Sequence, residues 1–220
     1  GAVGREKLIK MGCSKEKVKV VHLGVEVANI PFYLRKKDRN ELRLAQVATL
    51  TEKKGHETTV KAFVKAIKTC PNMSLSLVGK DPEGIRSSLQ KIIRDNGIED
   101  RVEFIDGIDF ARLYDFLNGF QVFIHPSRYS ESGDSEGGAP IVLLDAQATG
   151  MPVLSTTHCD IPNEVINGVT GILVNENDVD GLARGIETFY KMDEEEYQGY
   201  CKSARKHVEE EFDAVKCAKE

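Results

Sequence analysis

The chain reads as a doubly wound α/β domain, three layers deep (α/β/α), with helices on both faces of a parallel sheet. Three observations predict this. From Arg43 onward, short β-rich apolar runs alternate with segments of helical period, the pattern of successive βαβ units. The runs are continuously apolar, as strands covered on both faces are. Turn signals separate them: Asn96-Gly97 offers a left-handed cap, and Gly150 before Met151-Pro152 stops a helix.

In chain order, the expected strands are LRLAQVA ending at Ala48, MSLSLVG ending at Gly79, RVEFI ending at Ile105, FQVFI ending at Ile124, PVLS ending at Ser155 and GILV ending at Val174. Crossover helices are expected over 57–68, 83–96, 109–118, 140–149 and 179–191. Val60, Phe63, Val64 and Ile67 set the helical spacing of the first. The ends differ from this regular middle. Residues 5–24 hold a short helix-like piece and the strand-like VKVVH, and 194–220 form a charged tail of helical period. Neither end begins or completes a self-contained unit. The expected organisation is an entry segment over 1–24, a ligand-binding α/β domain over 25–192 and C-terminal helices over 193–220.

Composition limits what such a domain does. With 220 residues, 40% of them hydrophobic, the chain can bury a substantial core without a covalent staple. Its 30 Lys and Arg against 35 Asp and Glu are dispersed, so no one-sided basic footprint marks a nucleic-acid partner. The five cysteines form no Cys-x-x-Cys pair, which argues against a zinc or redox motif and for a reducing cytoplasm. No apolar run approaches the roughly 20 residues that span a bilayer, and the N-terminus lacks a signal-peptide core. A cytoplasmic location follows as the expectation.

In an open parallel sheet, ligands bind beyond the carboxyl ends of the strands. The loop after Ala48, TLTEKKGHE, sets Lys53 and Lys54 beside a glycine just ahead of a helix, where an ammonium and free N–H groups can share an anion. A solvated charged turn is the plainer alternative. The loop after Ile124, HPSRYSESGDSEGGAPIVLLDAQATG, is long and crowded with Ser, Gly, Asp and Glu, which a compact domain tolerates mainly for function. Gly137 and Gly138 permit close backbone approach to a ligand, and Pro140 suits a first helical turn. Glu136 precedes that helix and Asp145 lies within it, where a carboxylate can accept hydrogen bonds from a pair of sugar hydroxyls or else face solvent. Ile141, Leu144 and Ala148 are expected on its core face. His56, His125 and His158 fall near strand ends; His125 is the best placed to line a cleft, and no pair has metal-ligand spacing.

These motifs together resemble the retaining, two-domain (GT-B) glycosyltransferases of family four. The resemblance runs from VKVVHLGVEV through ATLTEKKGHETTVKAF, LSLVGKDPEGIRSSLQ, DRVEFIDGI and VFIHPSRYSESGDSEGGAPIVLLDAQATGMPVLST to DIPNEVINGVTGILV, nearly the whole chain. It implies the C-terminal, Rossmann-like half of a GT-B fold. That half holds a nucleotide diphosphate-sugar donor, and a separate N-terminal domain, outside this sequence, holds most of a glycan or lipid-linked acceptor. By position, Lys54 matches the basic residue on the donor diphosphate, Glu136 the first glutamate of the family's pair and Asp145 the second, which holds the ribose. The amides of Gly138, Ala139, Pro140, Ile141 and Val142 correspond to a phosphate-binding run, and Gly79-Lys80 borders the base. Transfer then rests on stabilising the leaving diphosphate, with no required metal and no cofactor beyond the donor. Three departures stand out. Thr49 occupies the place of a usual arginine, for which Lys53 is a candidate substitute. Glu136 and Asp145 are separated by one residue more than is usual, and the second is aspartate. The acceptor-side domain lies outside the sequence, so turnover by this chain alone is not expected. The implied activity is hexosyl transfer from a UDP- or GDP-sugar with retention, in surface polysaccharide synthesis, peripheral to the inner face of a membrane. The alternatives are a non-catalytic nucleotide or nucleotide-sugar binding module and a GT-B-like sugar epimerase.

Overall fold

The computed structural model describes residues 1–38 and 40–219. Six strands, β1 (Leu42–Val47), β2 (Met73–Val78), β3 (Val102–Ile105), β4 (Val122–His125), β5 (Val153–Thr156) and β6 (Gly171–Val174), lie within two residues of those expected. All pair in parallel, in the order β3-β2-β1-β4-β5-β6. Successive strands are added outward from β1 in one direction and from β4 in the other. The loops leaving the carboxyl ends of these two neighbours therefore diverge and leave a crevice, the topological switch point of the sheet.

The helices are α1 (Ala2–Lys10), α2 (His56–Ala66), α3 (Arg86–Asp95), α4 (Leu113–Leu117), α5 (Val142–Ala148), α6 (Ile161–Glu164), α7 (Val179–Lys191), α8 (Glu194–Glu211) and α9 (Ala214–Cys217). Strand alternation assigns the two faces. Leu42, Leu44, Leu75, Leu77 and Ile124 pack with Phe63 of α2, Leu89 of α3 and Ile186 of α7. Ala45, Phe123 and Val153 point the other way, onto Leu113 of α4 and Leu143 and Ala146 of α5. The three expected layers are present.

Several boundaries differ from the sequence reading. The carboxylate of Asp81 accepts from the amides of Ile85 and Arg86 at 2.9 and 3.1 Å, so α3 starts later than expected and the residues before it form a turn. The helix expected over 140–149 begins at Val142, and Ile141, assigned to its core face, is 42% exposed. Ile141 stands one position ahead of the helix, and Leu143, Leu144, Ala146 and Ala148 form the buried face instead. The strand-like VKVVH forms no ladder. It alternates half-buried Val18, Val20 and His22 with exposed Lys19, Val21 and Leu23, but no strand runs beside it among the described residues, and the nearest pairing is the single bridge between Val25 and Asp213. The short α6 went unanticipated because four residues carry no helical period. The expected charged tail is α8 and α9; its last residue, Glu220, lies outside the described residues.

At the end of the molecule away from the crevice, buried and half-buried cations close helix C-termini. The Arg35 guanidinium donates to the carbonyls of Leu117 at 3.3 Å, Phe120 at 3.0 Å and Thr149 at 2.6 Å, which end α4 and α5. From α8, Arg205 reaches the carbonyl of Ala148 at 2.7 Å and that of Ile30 at 2.8 Å, and Lys37 reaches Tyr190 near the end of α7 at 3.0 Å. These last-turn carbonyls have no partner within their own helices, so a cation satisfies them and complements the negative helix terminus. A third apolar cluster, Val25, Val27, Ile30, Leu144, Ala148, Val208 and Phe212, binds α8 and the 25–30 segment to α5.

One carboxylate is buried without such compensation. Glu164 at the end of α6 is 7% exposed, and its Oε2 has no hydrogen-bond partner among the described residues. Burial, with the nearby charge of Asp160, pushes its pKa up to about 8. A folded-state pKa above the unfolded one means stability that is fully present below about pH 4.5 and is lost as pH rises through about 8. Glu164→Gln mimics the protonated form. It should raise the thermal midpoint at pH 8 by roughly 5 °C and leave it almost unchanged at pH 4.5, measured by calorimetry at the two pH values.

Candidate functional site

The crevice beyond β1 and β4 is built by two loops that fit each other through one glycine. After β1 the chain makes a short 3-10 turn, Glu52–Lys54, ended by Gly55 at φ 70°. A β-carbon at Gly55 would stand 2.0 Å from the carbonyl oxygen of Pro126, the second residue of the HPS run after β4, so only glycine allows the two loops this approach. Gln46, buried on β1, fixes the turn from below: its amide donates to the Lys54 carbonyl at 2.8 Å, and its own oxygen accepts from Thr59 of α2 at 2.7 Å. Gly79 does the same for the loop after β2. Its position leaves no room for a side chain against the Ala48 carbonyl, 1.9 Å from where a β-carbon would lie, and the Lys80 carbonyl accepts from Leu50 at 2.8 Å.

Held in this way, Lys54 meets Glu136. Their Nζ and Oε2 are 2.7 Å apart, with both side chains largely shielded from solvent. The other carboxylate oxygen accepts from Ser127 at 2.9 Å and lies 3.8 Å from His125 Nε2, an electrostatic contact too long for a hydrogen bond. Burial acts to raise the Glu136 pKa, but His125 and Lys54 beside it outweigh burial and hold it down to about 2. His125 is fully buried, which lowers its own pKa and leaves it neutral near pH 7, so the positive charge opposite Glu136 is that of Lys54. His56, buried at the start of α2, is pushed down to about 3, first by burial and then by His125 and Lys54. Lys54 thus carries the positive charge against Glu136, and the two histidines beside it carry no charge.

The backbone that follows Glu136 offers donors. The amides of Glu136 and Gly137 are taken, by His158 Nε2 at 3.3 Å and Ser135 Oγ at 3.2 Å. Those of Gly138, Ala139, Ile141 and Val142 have no acceptor among the described residues. Pro140 interrupts the run expected from the sequence, because its nitrogen carries no hydrogen. A β-carbon at Gly137 would meet nothing within 4 Å, so open space adjoins the run.

The remaining candidates are placed as follows. Lys53 turns outward to Asp134, 2.9 Å away on the loop rim, and to the Ser135 carbonyl at 3.3 Å. Thr49 and Lys80 are exposed at the ends of β1 and β2. Asp145 does not face solvent: it is buried on α5, where its carboxylate accepts from Tyr114 of α4 at 3.0 Å. Burial lifts its pKa to about 6 against the opposing effect of that hydrogen bond. The structure thus joins Lys54 to Glu136 and places Asp145 separately, on Tyr114. Ser127 and Tyr114 were not singled out as contacts of the two carboxylates, nor His158 as the acceptor of the Glu136 backbone amide. Ser127 lies in the quoted HPS run and His158 between the quoted MPVLST and DIPNEV runs, whereas nothing in local sequence links Tyr114 to a residue 31 positions on.

The depressed pKa of Glu136 carries a definite sign. A carboxylate lowered from its ordinary 4.5 to about 2 contributes stability above pH 4.5 that is lost as pH falls toward 2. Glu136→Gln leaves the shielded Lys54 ammonium without its counter-charge. It should cost about 1–3 kcal/mol at pH 7, and the gap from the native chain should close as pH falls to about 2, as read from denaturant unfolding at both pH values.

Comparison with known proteins places this geometry in a family. The family described as Glycosyl transferases group 1 matches residues 32–207. The putative colanic acid biosynthesis glycosyltransferase WcaL of Escherichia coli (strain K12) is 34% identical over 206 residues, 94% of this chain and 50% of that protein. The amylovoran biosynthesis glycosyltransferase AmsK of Erwinia amylovora is 33% identical over 181 residues, 81% of this chain and 43% of that protein. The chain therefore spans half or less of the length of these relatives. In fold it is similar to Anabaena Alr3699/HepE, a structure in complex with UDP and glucose, with a TM-score of 0.80 at 21% identity over 98% of this chain and 58% of that one. With its six-stranded sheet, its crevice and this match over most of its length, the chain belongs to the group 1 glycosyl transferases.

Proposed function

We propose that this chain is the donor-binding domain of a retaining hexosyltransferase, holding a UDP- or GDP-sugar for transfer to a glycan or lipid-linked acceptor in surface polysaccharide synthesis. The observation that supports it best is the Lys54–Glu136 pair, 2.7 Å apart at the switch point, next to the unpartnered amides of Gly138, Ala139, Ile141 and Val142. A diphosphate seated there would gain charge-assisted hydrogen bonds from Lys54 and neutral ones from the backbone. Both strengthen as the sugar departs and negative charge builds on the leaving diphosphate, which is where catalysis by differential binding acts. Glu136, held ionised, competes for Lys54 while no donor is bound and is placed to accept hydroxyls of the sugar. Asp145, one helical turn past the amides, is the acceptor for the ribose, and Gly79 and Lys80 border the base. The reading assigns no cofactor besides the donor, and it requires a second domain to bring the acceptor. Activity at the inner face of a membrane would be peripheral; no helix among the described residues is long and apolar enough to cross one.

A second reading, a nucleotide-binding module without transfer activity, is favoured by Thr49 and by the engagement of Lys53 with Asp134, which together leave Lys54, of the two loop lysines, as the one paired with Glu136.

Thermal unfolding of this chain with UDP, GDP and ADP separates outcomes. UDP or GDP at a hundredfold excess over its Kd should raise the midpoint by about 5–10 °C, ADP less. Lys54→Ala and Asp145→Ala should each weaken that nucleotide at least about tenfold. Absence of any shift with all three nucleotides would refute the donor site. Binding by this chain without turnover by the full-length protein would select the second reading.

A further inference from the structure

Beside the crevice lies a nucleophile with a base and an orienting carboxylate in line. Cys159 Sγ is 3.2 Å from His158 Nε2, and His158 Nδ1 is 2.7 Å from Glu176 Oε1. With a carboxylate on Nδ1, that nitrogen carries the imidazole proton, and the lone pair is on Nε2, shared between the Cys159 thiol and the Glu136 amide. The imidazole is fully buried, and its edge meets the Tyr129 ring at 4.8 Å, so packing fixes its plane as well as its tautomer. Glu176 is itself tied down, its second oxygen accepting from the Tyr129 amide at 3.0 Å. Cys159 sits in the turn between β5 and α6 with φ 47°, a left-handed conformation unusual for a residue with a side chain. A strained strand-to-helix turn is one way a fold presents a nucleophile outward, and Cys159 is only half-buried.

We propose that Cys159 is a base-assisted nucleophilic thiol, a covalent modification site for soft electrophiles such as α-haloacetamides. Nucleophile and base within hydrogen-bond reach, with a third group orienting the base, is the arrangement that activates a thiol. In the step itself, Sγ forms a bond to the electrophilic carbon and the carbon–halogen bond breaks. Halide leaves with the bonding pair, and the thiol proton passes to His158 Nε2 and then to water. The site borders the crevice, because the same Nε2 accepts the amide of Glu136.

The chain carries its own controls. Cys13 is exposed without a histidine hydrogen bond, and Cys70 and Cys201 are buried. Limited iodoacetamide labelling followed by peptide mass spectrometry should show Cys159 reacting about tenfold faster than Cys13 despite its lesser exposure. His158→Gln and Glu176→Gln should each slow Cys159 by about the same factor and leave Cys13 unchanged. Continued protection of Cys70 and Cys201 reports that the variants are folded. Equal or faster labelling of Cys13 in the native chain overturns the proposal, as does a Cys159 rate that neither variant changes.

Discussion

Everything in the crevice depends on two parallel strands that are neighbours in the sheet but far apart in sequence. β1 and β4 pair at Leu44 with Val122 and Ala45 with Phe123, and from there the chain builds outward in opposite directions. The two loops leave the same end of adjacent strands, so their side chains converge without any local sequence signal. Gly55 makes the approach tight enough for Lys54 to reach Glu136, since any β-carbon there would collide with the Pro126 carbonyl.

Three carboxylates illustrate how environment rather than residue type decides charge. Glu136 is shielded from solvent yet ionised, because His125 and Lys54 beside it outweigh its burial. Asp145 has one neutral donor, the Tyr114 hydroxyl, and its pKa moves up to about 6. Glu164 has an unsatisfied oxygen and an acidic neighbour and moves further, to about 8. Desolvation acts on all three, and the partners determine the order. A fixed negative charge with a lysine beside it suits an anion site, because an incoming phosphate finds an ammonium already in place and exchanges one charge-assisted contact for another.

The opposite end of the domain stabilises what the crevice leaves unsatisfied. Arg35, Lys37 and Arg205 bind the terminal carbonyls of α4, α5 and α7, and the α8 cluster holds α5 from behind. That rigid backing matters because α5 begins at the open amides.

Periodicity and composition were enough to determine the strands, the five crossover helices and the helical tail, the three-layer class and the loops in which a site would form, because buried strands and amphipathic helices are written locally, in apolar spacing. The same reading placed Lys54, Glu136 and Asp145 as candidates. It misassigned Ile141, treated VKVVH as a strand and passed over α6, each a case where a neighbour in space, or the lack of one, outranks local pattern. Only the tertiary structure decided that Glu136 pairs with Lys54, that Asp145 is taken by Tyr114, and that His158 connects Cys159 to Glu176. Such contacts form between chain segments up to 82 residues apart, and it is the strand order that brings them together.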